Sequence, residues 1–197
     1  MRPQRKKWIK SELFALGVTL ALVTVARSSL ADHYYVPTGS MEYSLIPGDR
    51  VVVDKTAYGF RIPLTTIDLA GAKTPERGDV VVFDSPLDGT RLIKRIVAVG
   101  GDRVRLEAGR LTINGTPLAV ENVERFDSAR ALLNLEDGGG PNIADLVLPP
   151  GLVLALGDHR GDSTDGRYFG LVDEREILGR AVAIYYRRGA GFGWRDL

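Results

Sequence analysis

The chain has 197 residues, enough to bury one main core with an appendage. Its 26 Lys and Arg almost balance 25 Asp and Glu, for a formal charge of +1, so charge gives no general argument for a nucleic-acid partner. It has no cysteine, which excludes disulfides, a thiol nucleophile and thiolate metal sites, and with only two histidines a histidine-based metal site is not expected.

The charge is unevenly placed. Arg2, Arg5, Lys6, Lys7 and Lys10 precede an uncharged run from Leu13 to Ala26, which continues more weakly past Arg27 to Ala31. As a helix, residues 13–31 would span about 28 Å at roughly 1.5 Å per residue, close to the hydrocarbon thickness of a bilayer. One reading is a retained single-pass anchor in the inner (plasma) membrane. The basic flank, residues 1–12, then stays cytoplasmic and residues 32–197 form a periplasmic or extracytoplasmic domain. The other is a cleaved secretory signal with Ser29-Leu30-Ala31 as a small-x-small site. Both send the bulk of the chain across the membrane; the clustered basic flank speaks against a buried soluble helix.

Beyond the run, His33 to Val36 reads as a short extended approach to the turn Pro37-Thr38-Gly39-Ser40. A second turn at Pro47-Gly48 leads to a strand over residues 50–54. Residues 59–76 lack periodicity and carry Pro63 and Pro75, which predicts a surface excursion. Strands follow over 80–83 and 91–99, then an alternating one over 103–107. Asn114-Gly115 between two extended runs is the clearest hairpin signal. Residues 121–150, polar and then rich in Gly and Pro, read as a surface insertion, and core strands follow over 152–156 and 179–186. The fold class is mainly β, a mostly antiparallel β domain behind one N-terminal helix.

Two residues carry the chemistry. Ser40 sits on a glycine-containing turn that can present its hydroxyl. Lys94 lies mid-strand among Leu92, Ile93, Ile96 and Val97, where desolvation disfavours the ammonium form. Together they suggest a Ser-Lys dyad in which Ser40 attacks a carbonyl and neutral Lys94 takes its proton. A histidine base, His159, is the alternative, and Ser44 is a competing hydroxyl. The stretch from Gly157 to Gly170 follows a core strand directly and holds more Asp, Arg and Ser than a solvated turn requires.

Taken together, Ser40-Met41, Gly48-Asp49-Arg50-Val51, Arg77-Gly78-Asp79-Val80-Val81, Lys94-Arg95 and the Gly157–Gly170 loop resemble the bacterial type I signal peptidases (leader peptidases), in the family's order. Only about residues 107–150 lie outside the resemblance, as a small insertion subdomain. It implies the coiled antiparallel sheets of that family, with Ser40 as nucleophile and Lys94 as general base. The Ser40 N–H and the Thr38 hydroxyl would form the oxyanion hole. Ser163 would orient the Lys94 nitrogen, Asp165 and Arg167 would hold their loop as an ion pair, and Arg95 would anchor structure. Tyr34, Val36, Leu92 and Ile93 are candidate walls of the substrate cleft, and Met41 would line the cleft or enter the bilayer. The implied substrates are exported preproteins cut after small residues at −3 and −1. The lipid bilayer and nearby translocation machinery would be partners, nucleic acid would not, and the enzyme would act as a monomer without cofactor.

The sequence departs from the family in two places. Glu42-Tyr43-Ser44-Leu45 stands where Pro-Thr-Leu usually follows the methionine, and His159 stands where asparagine is more usual. Two other readings remain: a dedicated pilus- or conjugation-associated maturation peptidase, and a secreted β-rich binding module.

Overall fold

The computed structural model describes residues 12–20, 30–59, 73–127 and 129–197. Residues 12–20 are helical, while the rest of the expected anchor through Ser29 and most of the expected excursion (residues 60–72) lie outside the described residues. Among the described residues no helix is long and apolar enough to cross a membrane. Ala31, placed above at the end of the anchor, opens a strand instead.

Strand order follows the apolar runs. β1 (Ala31–Tyr35), β2 (Arg50–Asp54), β3 (Val80–Asp84) and β4 (Arg91–Ala98) are followed by β5 (Arg103–Glu107) and β6 (Arg110–Ile113). The middle of the chain adds β7 (Thr116–Pro117), β8 (Ala119–Val120), β9 (Val123–Arg125), β10 (Arg130–Leu132) and β11 (Ile143–Val147). β12 (Leu152–Leu156), β13 (Val172–Asp173), β14 (Ile177–Arg187) and β15 (Gly191–Asp196) complete the set. All named strand pairs are antiparallel. The main sheet runs β1-β2-β14-β3-β4-β12-β13, with β15 also on β14. A four-stranded sheet, β11-β5-β6-β7, and a three-stranded one, β10-β9-β8, stand beside it.

Val80-Val81-Val82-Phe83 is apolar on both faces because both are covered. Val80 and Val82 pack with Val51, Val53 and Met41, whereas Val81 and Phe83 pack with Ile96, Val153 and Ile177. The Asn-Gly turn forms as its residue types demand, with φ of 52° at Asn114 and 81° at Gly115. β15 has no counterpart among the predicted elements; its Gly-Phe-Gly-Trp sequence breaks the apolar pattern that marks the other strands.

The expectation for residues 121–150 needs correcting. The insertion forms strands, and rather than lying wholly on the surface it reaches inward. Glu124 and Asn134 are each 1 % exposed, and Ala131, Leu133 and Leu148 are core. The polar composition that suggests a surface here supplies partners for buried charge.

Candidate active site

β4 is central, held by β3 on one side through Val81↔Lys94 and by β12 on the other only as far as Leu156↔Arg95. Beyond Leu156 the chain leaves the sheet at Gly157, and the loop carrying Ser40 fills the gap this opens. The Ser40 carbonyl accepts from the His159 N–H at 3.1 Å, and a Cβ added at Gly157 would lie 2.4 Å from that carbonyl oxygen and 2.3 Å from Ser163 Oγ. Only glycine lets the two loops close. Gly157→Ala is expected to push Ser40 off its position and lower kcat by about a hundredfold, with the fold retained by circular dichroism.

Within the gap Lys94 Nζ lies 2.6 Å from Ser40 Oγ. Lys94 is 3 % exposed. Burial pushes its pKa down to about 8, against the pull of the Asp165 and Asp158 carboxylates in the opposite direction. Asp165 and Arg167 form a forked ion pair, with Nε to Oδ1 at 2.8 Å and Nη2 to Oδ2 at 2.7 Å, and Asp165 Oδ2 also accepts from the Gly157 N–H at 2.9 Å. Burial alone would raise the Asp165 carboxyl; the Arg167 guanidinium and the Gly157 amide outweigh it and hold it below the ordinary carboxylate range.

Alternation along β4 turns the next side chain, Arg95, away from Lys94. Its Nε and Nη2 donate to Asp158 at 2.9 and 2.8 Å, its Nη1 to the Gly78 carbonyl at 2.7 Å, and its Nη2 to Ser44 Oγ at 3.0 Å. Ser44 in turn donates to Asp158 Oδ2 at 2.5 Å. The competing hydroxyl is therefore engaged in a buried polar cluster that ties the serine loop to the Gly157–Gly170 loop. The His159 ring nitrogens lie 2.9 Å from Asp137 Oδ2 and 3.8 Å from Glu42 Oε2, and neither makes a hydrogen bond among the described residues. The contact of His159 with Ser40 runs through the backbone.

Other residues singled out from sequence fall differently. Ser163 is buried beside Gly157 and helps to hold the Asp165 carboxyl low, while the expected hydrogen bond from its Oγ to Lys94 is not formed. Met41 and Val36 are 1 % and 4 % exposed and pack with Leu45, Val51 and Val53. They belong to the core cluster beneath the serine turn, which folds its apolar side chains onto the sheet, so Met41 does not reach the bilayer. Tyr34, Leu92 and Ile93 are half-buried, and the Tyr34 hydroxyl accepts from Arg91 at 2.8 Å. Thr38 is exposed and Ser40 half-exposed. Among the described residues no group of His, Asp and Glu could hold a metal ion.

Arg160 and Glu124 carry a role that the motif reading does not assign. Arg160 is fully buried, donating to Glu124 at 3.1 and 2.6 Å, to the Gly157 carbonyl at 2.8 Å and to the Gly109 carbonyl at 2.6 Å. The one sequence signal was an arginine inside a loop that follows a core strand; nothing marked Glu124.

Comparison with known proteins shows the family of the chain. The family described as signal peptidase, peptidase S26, matches residues 5–186. A signal peptidase I of Pseudomonas aeruginosa is 32 % identical over 194 residues, covering 84 % of this chain and 68 % of its own length. The signal peptidase I of Haemophilus influenzae is 29 % identical over 238 residues, covering 88 % of this chain and 68 % of its own. A crystal structure of a signal peptidase I from Enterococcus faecalis is 30 % identical, with a TM-score of 0.41, covering 56 % of this chain and 98 % of that one. The molecule is a serine endopeptidase, a hydrolase of mainly β architecture. More particularly, the chain belongs to the peptidase S26 signal peptidases, an activity whose substrates are preproteins bearing signal peptides.

Proposed function

We propose that Ser40 is the nucleophile and Lys94 the general base of this signal peptidase. The observation that carries the reading is the 2.6 Å contact between Lys94 Nζ and Ser40 Oγ, made by a lysine whose burial favours its neutral form. Neutral Lys94 takes the Ser40 proton as Oγ attacks the scissile carbonyl, then returns a proton to the leaving amine. The Ser40 N–H, which no backbone carbonyl among the described residues accepts, and the exposed Thr38 hydroxyl stabilise the oxyanion. The Asp165–Arg167 pair keeps the Gly157 amide in place, and Arg95 with Asp158 fixes the serine loop. Tyr34, Leu92 and Ile93 border the cleft, where small residues at −3 and −1 of an extended peptide would sit. The basic N-terminus and the apolar run after it support a retained anchor, with the catalytic domain outside the cytoplasm and the enzyme acting as a monomer beside the translocation machinery.

The test is cleavage of a preprotein in detergent or liposomes by the full chain, Ser40→Ala and Lys94→Ala, with the new N-terminus sequenced. Cleavage after a small-x-small site by the unaltered chain, lost in both variants, is the expected result. Cleavage surviving either change would remove the dyad.

A further inference from the structure

Residues 134–137 lie in the insertion, yet they touch both loops that assemble the site. The Asn134 N–H donates to the Asp158 carbonyl at 3.0 Å, and its carbonyl accepts from the Arg160 N–H at 2.9 Å, a parallel bridge in register with His159. Glu136 Oε1 accepts from the Tyr43 hydroxyl at 2.5 Å, three residues beyond Ser40. Asp137 meets the His159 ring, and its backbone packs so closely on Gly161 that an added Cβ there would lie 2.2 Å from the Asp137 carbonyl oxygen. Asn134 Oδ1 accepts from the Glu136 N–H at 2.9 Å, which fixes the turn from which the two carboxylates project.

The serine loop needs such support. It follows β1, the edge strand of the main sheet, and Tyr43 is exposed. Ordering a residue's backbone costs on the order of 1–2 kcal/mol, so a loop of this kind keeps one geometry only if ties on several sides overcome that cost. On one side stand the Ser40–His159 backbone bond and the Ser44–Asp158–Arg95 cluster. On the other stands the insertion.

We propose that residues 134–137 form a strut, in which Asn134, Glu136 and Asp137 hold the serine loop and the Gly157–Gly170 loop at a fixed separation and so keep Ser40 against Lys94. Asn134 spans the Asp158–Arg160 backbone, Glu136 catches Tyr43, and Asp137 backs His159. None of the three touches Ser40 or Lys94, so they are positioning residues. The strut rests on the Ser40–Lys94 reading: losing the strut leaves substrate binding in place and lets water reach the lysine, whose burial is what draws its pKa down.

The test measures kcat, KM, the midpoint of the acidic limb of the pH profile and the melting temperature for the full chain with a preprotein substrate. Tyr43→Phe and Glu136→Ala are each expected to lower kcat by about tenfold with little change in KM, and to move the midpoint upward from about 8. The double variant should be no worse than either single one, because both remove the same link. Glu136→Gln, whose amide oxygen still accepts from Tyr43, should recover most of kcat. Unchanged kcat and midpoint in both single variants would overturn the strut, as would a loss of activity that follows melting temperature alone with the midpoint unmoved. Ser40→Ala and Lys94→Ala are run alongside: turnover in either one refutes the underlying dyad, whereas inactivity in both assigns any negative result to the strut.

Discussion

Replacing Lys94 by methionine is expected to abolish turnover while raising the melting temperature near neutral pH. Loss of a base acting directly on the nucleophile typically costs on the order of 10⁴-fold or more in kcat. The stability effect has the opposite sign. Lys94 titrates near 8 in the folded chain and near 10.5 when unfolded, so below pH 8 the fold must hold a buried ammonium that water would solvate better. At 1.36 kcal/mol per pKa unit that is a handicap on the order of 3 kcal/mol at pH 7. The unfolded chain binds the extra proton between about pH 8 and 10.5, so stability of the parent rises through that window, and the advantage of Lys94→Met shrinks across it. The same titration governs rate. Only about a tenth of Lys94 is neutral at pH 7 and about a hundredth at pH 6, so activity should fall roughly tenfold per unit as pH drops below 8 and level off above it. Thermal melts and initial rates from pH 6 to 10 check both halves. A flat rate profile between pH 6 and 9 would contradict the assignment of Lys94 as base, and a variant no more stable than its parent at pH 7 would contradict the buried ammonium.

Glu124→Ala is expected to cost about 3–5 kcal/mol of stability, since it leaves the Arg160 guanidinium buried without its carboxylate. Burial already pushes the Glu124 carboxyl up despite the opposing pull of Arg160, so the site tolerates charge only as a pair. Replacing both partners by apolar residues, Glu124→Leu with Arg160→Met, should restore much of the stability, because neither charge then remains unpaired. Activity should stay low, since Arg160 Nε no longer holds the Gly157 carbonyl beside Ser40. Denaturant unfolding, with kcat/KM measured on the same preparations, separates the two effects. A double variant as active as the parent would show that Arg160 serves the fold alone.

The sheet was legible because its signals are local. The apolar runs at residues 50–54, 80–83 and 152–156 each became a strand, and Asn114-Gly115 became a turn. The pairing of Ser40 with Lys94 could be suspected from a serine after Pro-x-Gly and a lysine inside an apolar strand, two anomalies that a core does not otherwise need. What sequence pattern does not convey is which polar residues travel inward. Glu124 follows Asn122-Val123 in a stretch that reads as solvated, and nothing local marks the buried arginine 36 residues later that it pairs with. Met41 misled for the converse reason. Its place next to the nucleophile suggested exposure, whereas the turn directs its side chain into the sheet, and adjacency in the chain carries no information about that rotation. The role of residues 134–137 was hidden because backbone groups make half of its contacts, and these leave no trace in residue type.

Lys94 and Arg95 are neighbours on one strand, one facing Ser40 and the other a buried carboxylate on the far side. Strand pairing has a period of two, so a slip of a single residue in β4 that brought Arg95 into the place of Lys94 would present a guanidinium to Ser40 and the apolar Ile96 to Asp158. Arginine stays protonated at any pH the enzyme meets, so the slipped form would be inert rather than merely slow. With the proposed dyad, turnover therefore reports on alignment: every molecule that cuts has paired β4 correctly, and specific activity measures the correctly threaded fraction of a refolded sample where spectra of bulk β content would not distinguish the two.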